Sequence, residues 1–242
     1  MFFDLVKKEM MSIKTAALLL LLTSMTVILT GCLAARSPAD LNYAGSAVVE
    51  SLSSNVSLAY KNSERSISGS GYIVYRRPDQ MRATILSPFG SVLQEIFLSG
   101  ESVTIIDTGN GLAFSGKYTD LPVKGDFSGW RYFKWLIDID SPSSSRGNTV
   151  IERTNKYGMP EEAVFENGLL KSKKSAEGGK VEYGSYTSVQ GVTFPLRIFY
   201  ETVAGDKFSI LFDDPEINVK TEDGVFTPNL NKLSVYPLSI LK

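Results

Sequence analysis

The chain has 242 residues, 43% of them hydrophobic, 11% aromatic and 21% charged, with a formal net charge of −1. That is the composition of a globular protein of one all-β domain or two small ones, and the near-zero charge gives no reason to expect a nucleic-acid partner. Histidine is absent and cysteine occurs once. The commonest general base, an internal disulfide, a Cys-rich zinc site and a redox pair are thereby excluded. No metal or cofactor is expected, and no pattern of carboxylates or lysines marks a catalytic centre. The expectation is a non-enzymatic module.

Residues 15–35, "TAALLLLLTSMTVILTGCLAA", carry no charge and follow Lys7, Lys8 and Lys14. This is the basic region and apolar region of an export signal, although the run is also long enough to span a bilayer. Leu29-Thr30-Gly31-Cys32 separates the two readings, because it resembles the bacterial lipobox. The resemblance implies cleavage before Cys32 and acylation of its sulfur and new amino terminus. Each buried methylene contributes roughly 0.8 kcal/mol, so two or three acyl chains anchor a protein almost permanently. Leu33 stands where an aspartate signals inner-membrane retention in enterobacterial lipoproteins, which implies sorting to the outer membrane. A start at Met11 would give a signal peptide of ordinary length. Residues 1–31 are thus expected to be the signal peptide and 32–43 a lipidated tether.

From 44 onward the chain reads as one folded domain, 44–242. "AGSAVVESLSSNV" suggests a weak amphipathic helix, with Val48, Val49 and Leu52 near helical spacing. "SISGSGYIVYRRP", "MRATILS", "VLQEIFL", "SVTIIDT" and "NGLAFSG" are short β-rich runs separated by turn residues. Their spacing leaves no room for crossover helices, so the strands should form an antiparallel meander. The two glycines of "GSGYIVY" suggest a bend or bulge, since no helix follows to make a phosphate site.

The pattern breaks at "DFSGWRYFKWLIDID". Asp126 or Ser128 could cap a helix whose face carries Trp130, Phe133, Trp135, Leu136 and Ile137. Strands resume with "TVIERTNK", "EEAVFEN", "LLKSKKS", "KVEYGSYTSV", "TFPLRIFYE" and "KFSILFDDPEINV". Asn167-Gly168, Gly178-Gly179 and Gln190-Gly191 mark turns, and the tail from Pro228 reads as irregular. The expected fold is mainly β: a single curled antiparallel sheet, an incomplete β-barrel, of about 10–12 strands, with one or more helices covering its concave apolar face.

Three features carry competing readings. "KSKK" at Lys171 to Lys174 reads as a solvated face or a protected strand edge, with attraction to acidic lipid or an acidic partner as the lesser option. The acidic segments "DIDSPSSS" and "FDDPE" lack the ligand spacing of a calcium loop. The aromatic helix is either core packing or one wall of an apolar pocket, because both have the same hydrophobic pattern.

"ILSPFGSVLQE" places Phe89 in the middle of a turn, where Gly, Pro, Asn, Asp or Ser is usual. Around it, "YRRPDQMRATILSPFGSVLQEIFLSGESVTIIDT" resembles the LolA/LolB-like lipoprotein-carrier superfamily, and within it most closely LolB. The pattern is Arg77-Pro78-Asp79, then Arg82 opening a strand, then a Pro-apolar-Gly turn, with a further turn at Ser99-Gly100. "SYTSVQGVTFPLRI" and "FDDPEINVKTEDGVFTP" resemble later parts of the same superfamily, so the likeness runs from Ser66 to Pro228, with a poor match between Phe114 and Phe165.

The resemblance implies an antiparallel half-barrel closed by helices over an apolar cavity, with Phe97, Trp130, Phe133, Trp135 and Leu136 as expected cavity residues. It implies a protein that receives lipoprotein acyl chains from a periplasmic carrier and passes them to the outer membrane, anchored there through Cys32 and facing the periplasm. The likeness to LolB implies that the Pro-apolar-Gly turn, here Pro88, Phe89 and Gly90, enters the membrane during delivery. The plain alternative is that Phe89 folds back onto the domain. The rival function is a structural lipoprotein, a scaffold in an envelope complex, whose interior is filled by its own side chains.

Overall fold

In a computed structural model, residues 48–64, 66–122, 127–140 and 147–241 are described. They all belong to one unit, residues 38–242. The signal peptide, Cys32 and the tether lie outside the described residues. Thirteen strands make one sheet among them. They are β1 Ser51–Lys61, β2 Ser66–Arg76, β3 Gln80–Leu86, β4 Val92–Ser99, β5 Ser102–Asp107, β6 Leu112–Lys117 and β7 Asn148–Thr154. There follow β8 Pro160–Glu166, β9 Leu169–Ser175, β10 Lys180–Val189, β11 Val192–Glu201, β12 Lys207–Ile217 and β13 Ser234–Pro237.

Their order is β13-β6-β5-β4-β3-β2-β1-β12-β11-β10-β9-β8-β7. Two six-stranded meanders are therefore joined through the β1–β12 ladder, and the sheet curls without closing. The chain leaves the first meander at β6 and must reach β7 at the opposite edge. That crossing carries the aromatic segment over the concave face. The segment forms a 3-10 turn over Ser128–Tyr132, followed by a single short helix, α1, Phe133–Ile137. Phe127 holds the position before the 3-10 turn and makes no side-chain cap, so Ser128 is not the cap, and Asp126 lies outside the described residues.

The helix expected around Val48, Val49 and Leu52 is not formed. Residues 48–50 lack regular structure and β1 begins at Ser51. Leu52, Ser54, Val56 and Leu58 are buried at alternate positions, which is the two-residue period of a strand rather than a helical one. The serines between them weaken that signal in the sequence. The tail also departs from expectation. Leu230 and Leu233 cover Phe97, Ile106 and Ala113, and the chain then lies parallel to β6 as β13. All other strand pairs are antiparallel.

The core fills the concave side. Ile73, Ile96, Ile105, Ala163, Phe194 and Ile210 are fully inaccessible there. Gly71 in "GSGYIVY" is needed for close approach: a Cβ at this position would overlap the Thr84 backbone carbonyl on β3. Asn167-Gly168 and Gln190-Gly191 both take left-handed φ at each residue, the geometry of two-residue hairpins.

Four longer hairpin turns, those after β3, β7, β9 and β11, share one hydrogen-bond frame. In Ser87–Ser91, Asn155–Met159, Ser175–Gly179 and Thr202–Asp206 the first amide donates to the fifth carbonyl at 2.8–2.9 Å. The fourth residue, always glycine, donates to the first carbonyl at 2.9–3.0 Å. The fifth amide donates to the first side chain at 3.0–3.2 Å. Each glycine has φ between 78° and 93°, a region open to glycine without steric cost.

Candidate functional site

α1 is tied to the sheet at its C-terminal end, where a helix leaves carbonyls without partners. Tyr157 Oη donates to the Lys134 carbonyl at 3.2 Å and Tyr183 Oη to that of Leu136 at 3.0 Å. Lys173 Nζ donates to the carbonyls of Trp135 at 2.7 Å and Asp138 at 2.8 Å. The "KSKK" segment is therefore not simply a solvated face, and β9 is not an edge. Lys171 and Lys174 are exposed, but Lys173 faces the core at 1% exposure. Burial lowers its pKa to about 8, against the pull of Asp138, Glu161 and Asp140.

Beside it, the Glu161 carboxylate accepts from Trp135 Nε1 at 2.6 Å, Arg153 Nε at 2.7 Å and Asn155 Nδ2 at 3.1 Å. Burial alone would raise its pKa. The Trp135 bond, the Lys173 charge and the bonds from Arg153 and Asn155 outweigh that and hold it below the ordinary carboxylate value. No cluster of acidic, histidine or cysteine side chains suited to a metal is found among the described residues.

Trp130, Phe133, Trp135 and Leu136 all enter the main core, at 5%, 0%, 2% and 0% exposure. Trp130 packs on Phe133 and edge-on to Phe208, and Trp135 edge-on to Tyr200. A cavity of ≈ 240 Å³ opens beside them, bordered by the Ser175–Gly179 and Thr202–Asp206 turns. Its apolar lining includes Tyr60, Tyr132, Tyr200, Val203 and Phe208, with Glu177, Asp206 and Lys207 among the polar residues. Sequence reasoning missed these residues. The available signal was aromatic residues at strand ends next to glycine turns.

Phe97 does not join the other expected cavity residues. Ile96 and Leu98 point into the main core, so strand alternation turns Phe97 to the opposite face, under Leu230 and Leu233. The Arg82 guanidinium stacks over its ring at 5.4 Å.

Phe89 projects from the Ser87–Ser91 turn with 95% of its surface exposed. Pro88 fixes one backbone angle and has no amide to satisfy. The remaining amides are all bonded within the turn: Ser87 to the Ser91 carbonyl, Gly90 to the Ser87 carbonyl, and Phe89 and Ser91 to Ser87 Oγ at 3.3 and 3.1 Å. Val92 and Leu93, next in sequence, are 36% and 48% exposed. Cys32 lies outside the described residues.

The fold has known counterparts. A DUF1329 family protein from Desulfovibrio piger superposes with a TM-score of 0.57 at 11% identity, over 74% of this chain and 90% of that one. A LolA superfamily protein from Nitrosomonas europaea gives 0.51 at 14% identity, over 76% and 92%. A domain provisionally assigned to outer membrane lipoprotein sorting, from Vibrio parahaemolyticus, gives 0.54 at 8% identity, over 77% and 93%. No protein-family model and no curated protein matches the sequence. At these identities the likeness is one of fold.

Proposed function

We propose that this chain is a lipid-anchored protein of the bacterial outer membrane, facing the periplasm, that binds acyl chains and helps insert lipoproteins into the membrane. The single observation that carries the reading is Phe89, almost fully exposed on a turn whose amides are already bonded. Bonding these amides within the turn lowers the desolvation cost of entering an apolar medium, and an aromatic ring then gains from burial there. The LolA-type half-barrel and the lipobox-like Leu29-Thr30-Gly31-Cys32 support the same reading, which needs no nucleotide and no catalytic group. Cargo would arrive from a soluble periplasmic carrier, handed on by relative affinity for acyl chains.

The cavity bears on how cargo is held. Its ≈ 240 Å³ lies below the roughly 300–1,000 Å³ of ordinary ligand pockets. It admits part of one chain, so a multiply acylated cargo requires α1 to lift from the sheet. The filled interior also favours a second reading, a scaffold lipoprotein of the same fold. The two separate in one experiment. Phe89→Glu should accept a fluorescent fatty acid like the parent protein yet fail to deliver lipoproteins into liposomes, and Phe89→Leu should retain delivery. Delivery that is unchanged in Phe89→Glu would sink the insertion role, and absence of fatty-acid binding in the folded parent would leave the scaffold.

A further inference from the structure

We propose that the Thr202–Asp206 turn is a second membrane-contacting turn, placed at the mouth of the cavity, so that the bilayer is engaged by an apolar arc and not by Phe89 alone. This inference rests on the reading of Phe89 as a membrane contact. The argument begins with the shared backbone of the four turns. An identical frame in each leaves the second and third residues at the tip, so the side chains there decide what the turn meets. In Ser175–Gly179 the tip is Ala176 and Glu177, and charge keeps it in water. In Asn155–Met159 the tip aromatic Tyr157 turns inward and bonds the Lys134 carbonyl. Of the four, only Ser87–Ser91 and Thr202–Asp206 present large apolar side chains outward, Phe89 at 95% and Val203 at 73% exposure.

These two turns lie at the same end of the sheet: Lys61 pairs Lys207 and Ser66 where β12 and β2 begin, and Ser70 of β2 pairs Leu86, the residue before the Ser87–Ser91 turn. Exposed apolar residues recur along this end in strand order. Val92 follows the Phe89 turn, Ile67 on β2 is 50% exposed beside Tyr60, and Val203 closes the β11–β12 hairpin. Phe89 and Val203 are the two most exposed large hydrophobic side chains among the described residues. A bilayer is the partner that matches them, since the large apolar side chains project singly from two hairpin tips, whereas a protein partner would need a continuous complementary patch. Val203 and Ala204 also line the cavity. An acyl chain leaving lipid at this turn would therefore meet the cavity mouth directly, with Tyr60, Tyr132 and Tyr200 behind it.

The test uses the full chain reconstituted in vesicles of phosphatidylethanolamine and phosphatidylglycerol whose acyl chains are brominated near the glycerol. Three variants each add one indole: Phe89→Trp, Val203→Trp, and Glu101→Trp at the β4–β5 turn on the other end of the sheet. The emission of the buried Trp130 and Trp135 is subtracted using the parent protein. Quenching and a blue shift at both 89 and 203, with neither at 101, is the expected result. Quenching at 89 but not at 203 would overturn this inference and leave the proposed function standing. Quenching at neither removes both, and equal quenching at all three overturns the arc by showing contact without orientation. Val203→Glu closes the argument: it should lower delivery to liposomes while leaving the melting temperature unchanged, and full delivery would count against the second contact.

Discussion

The indole N–H of Trp135 donates to the buried carboxylate of Glu161 at 2.6 Å, tying α1 to β8 in the interior. Trp135→Phe should keep the packing against Tyr200 but remove one donor from a buried anion, at a cost of about 1–3 kcal/mol. Glu161→Leu should cost more, about 3–5 kcal/mol, because it leaves Arg153 and Lys173 without their shared counter-charge. Chemical denaturation of both variants checks this order. If Trp135→Phe is the worse of the two, ring packing rather than the carboxylate holds the helix.

Lys173 predicts a pH dependence. Its folded pKa is about 8, against an ordinary lysine value of 10.5. Below pH 8 both folded and unfolded chains carry the proton, so the group contributes no slope. From pH 8 upward the folded form releases its proton while the unfolded form retains it, and stability rises with pH. Relative to Lys173→Met, the parent should gain up to about 2 kcal/mol between pH 8 and 10. Denaturation midpoints of the two proteins at pH 7 and 9.5 measure the difference, and parallel behaviour would mean that Lys173 titrates normally.

Gly71→Ala should be among the most damaging conservative changes in the sheet. The added methyl meets the Thr84 backbone, which cannot swing aside as a side chain can. Moving β2 away from β3 would disturb the ladder that both strands share. A loss of roughly 2–4 kcal/mol is expected, in the range of overpacked cores and above. Gly90→Ala, with open space around its Cβ but φ 81°, should cost less. Thermal melts of the two variants decide the ranking.

Cys32 is the proposed attachment point for lipid. Cys32→Ser should leave an unprocessed precursor that no longer takes up labelled palmitate. Equal labelling of parent and variant would restore the alternative in which residues 15–35 remain as a transmembrane anchor.

Much of this molecule is local, and the sequence alone determined those parts. Alternating apolar runs bounded by turn residues announced the strands from β2 to β12, because side-chain alternation and turn conformation depend on neighbours in the chain. Asn167-Gly168, Gln190-Gly191 and the odd position of Phe89 in its turn were legible for the same reason. What needed distant residues was decided only by the tertiary structure. β1 is a strand because β2 and β12 flank it on both sides, which its serine-rich sequence does not announce. Lys173 is buried because unpaired helix carbonyls wait above β9. Phe97 faces away from the helix because Ile96 and Leu98 face toward it. Whether Trp130, Phe133, Trp135 and Leu136 line a pocket or fill a core depends on how closely the opposite wall approaches, and a hydrophobic pattern carries no record of that distance.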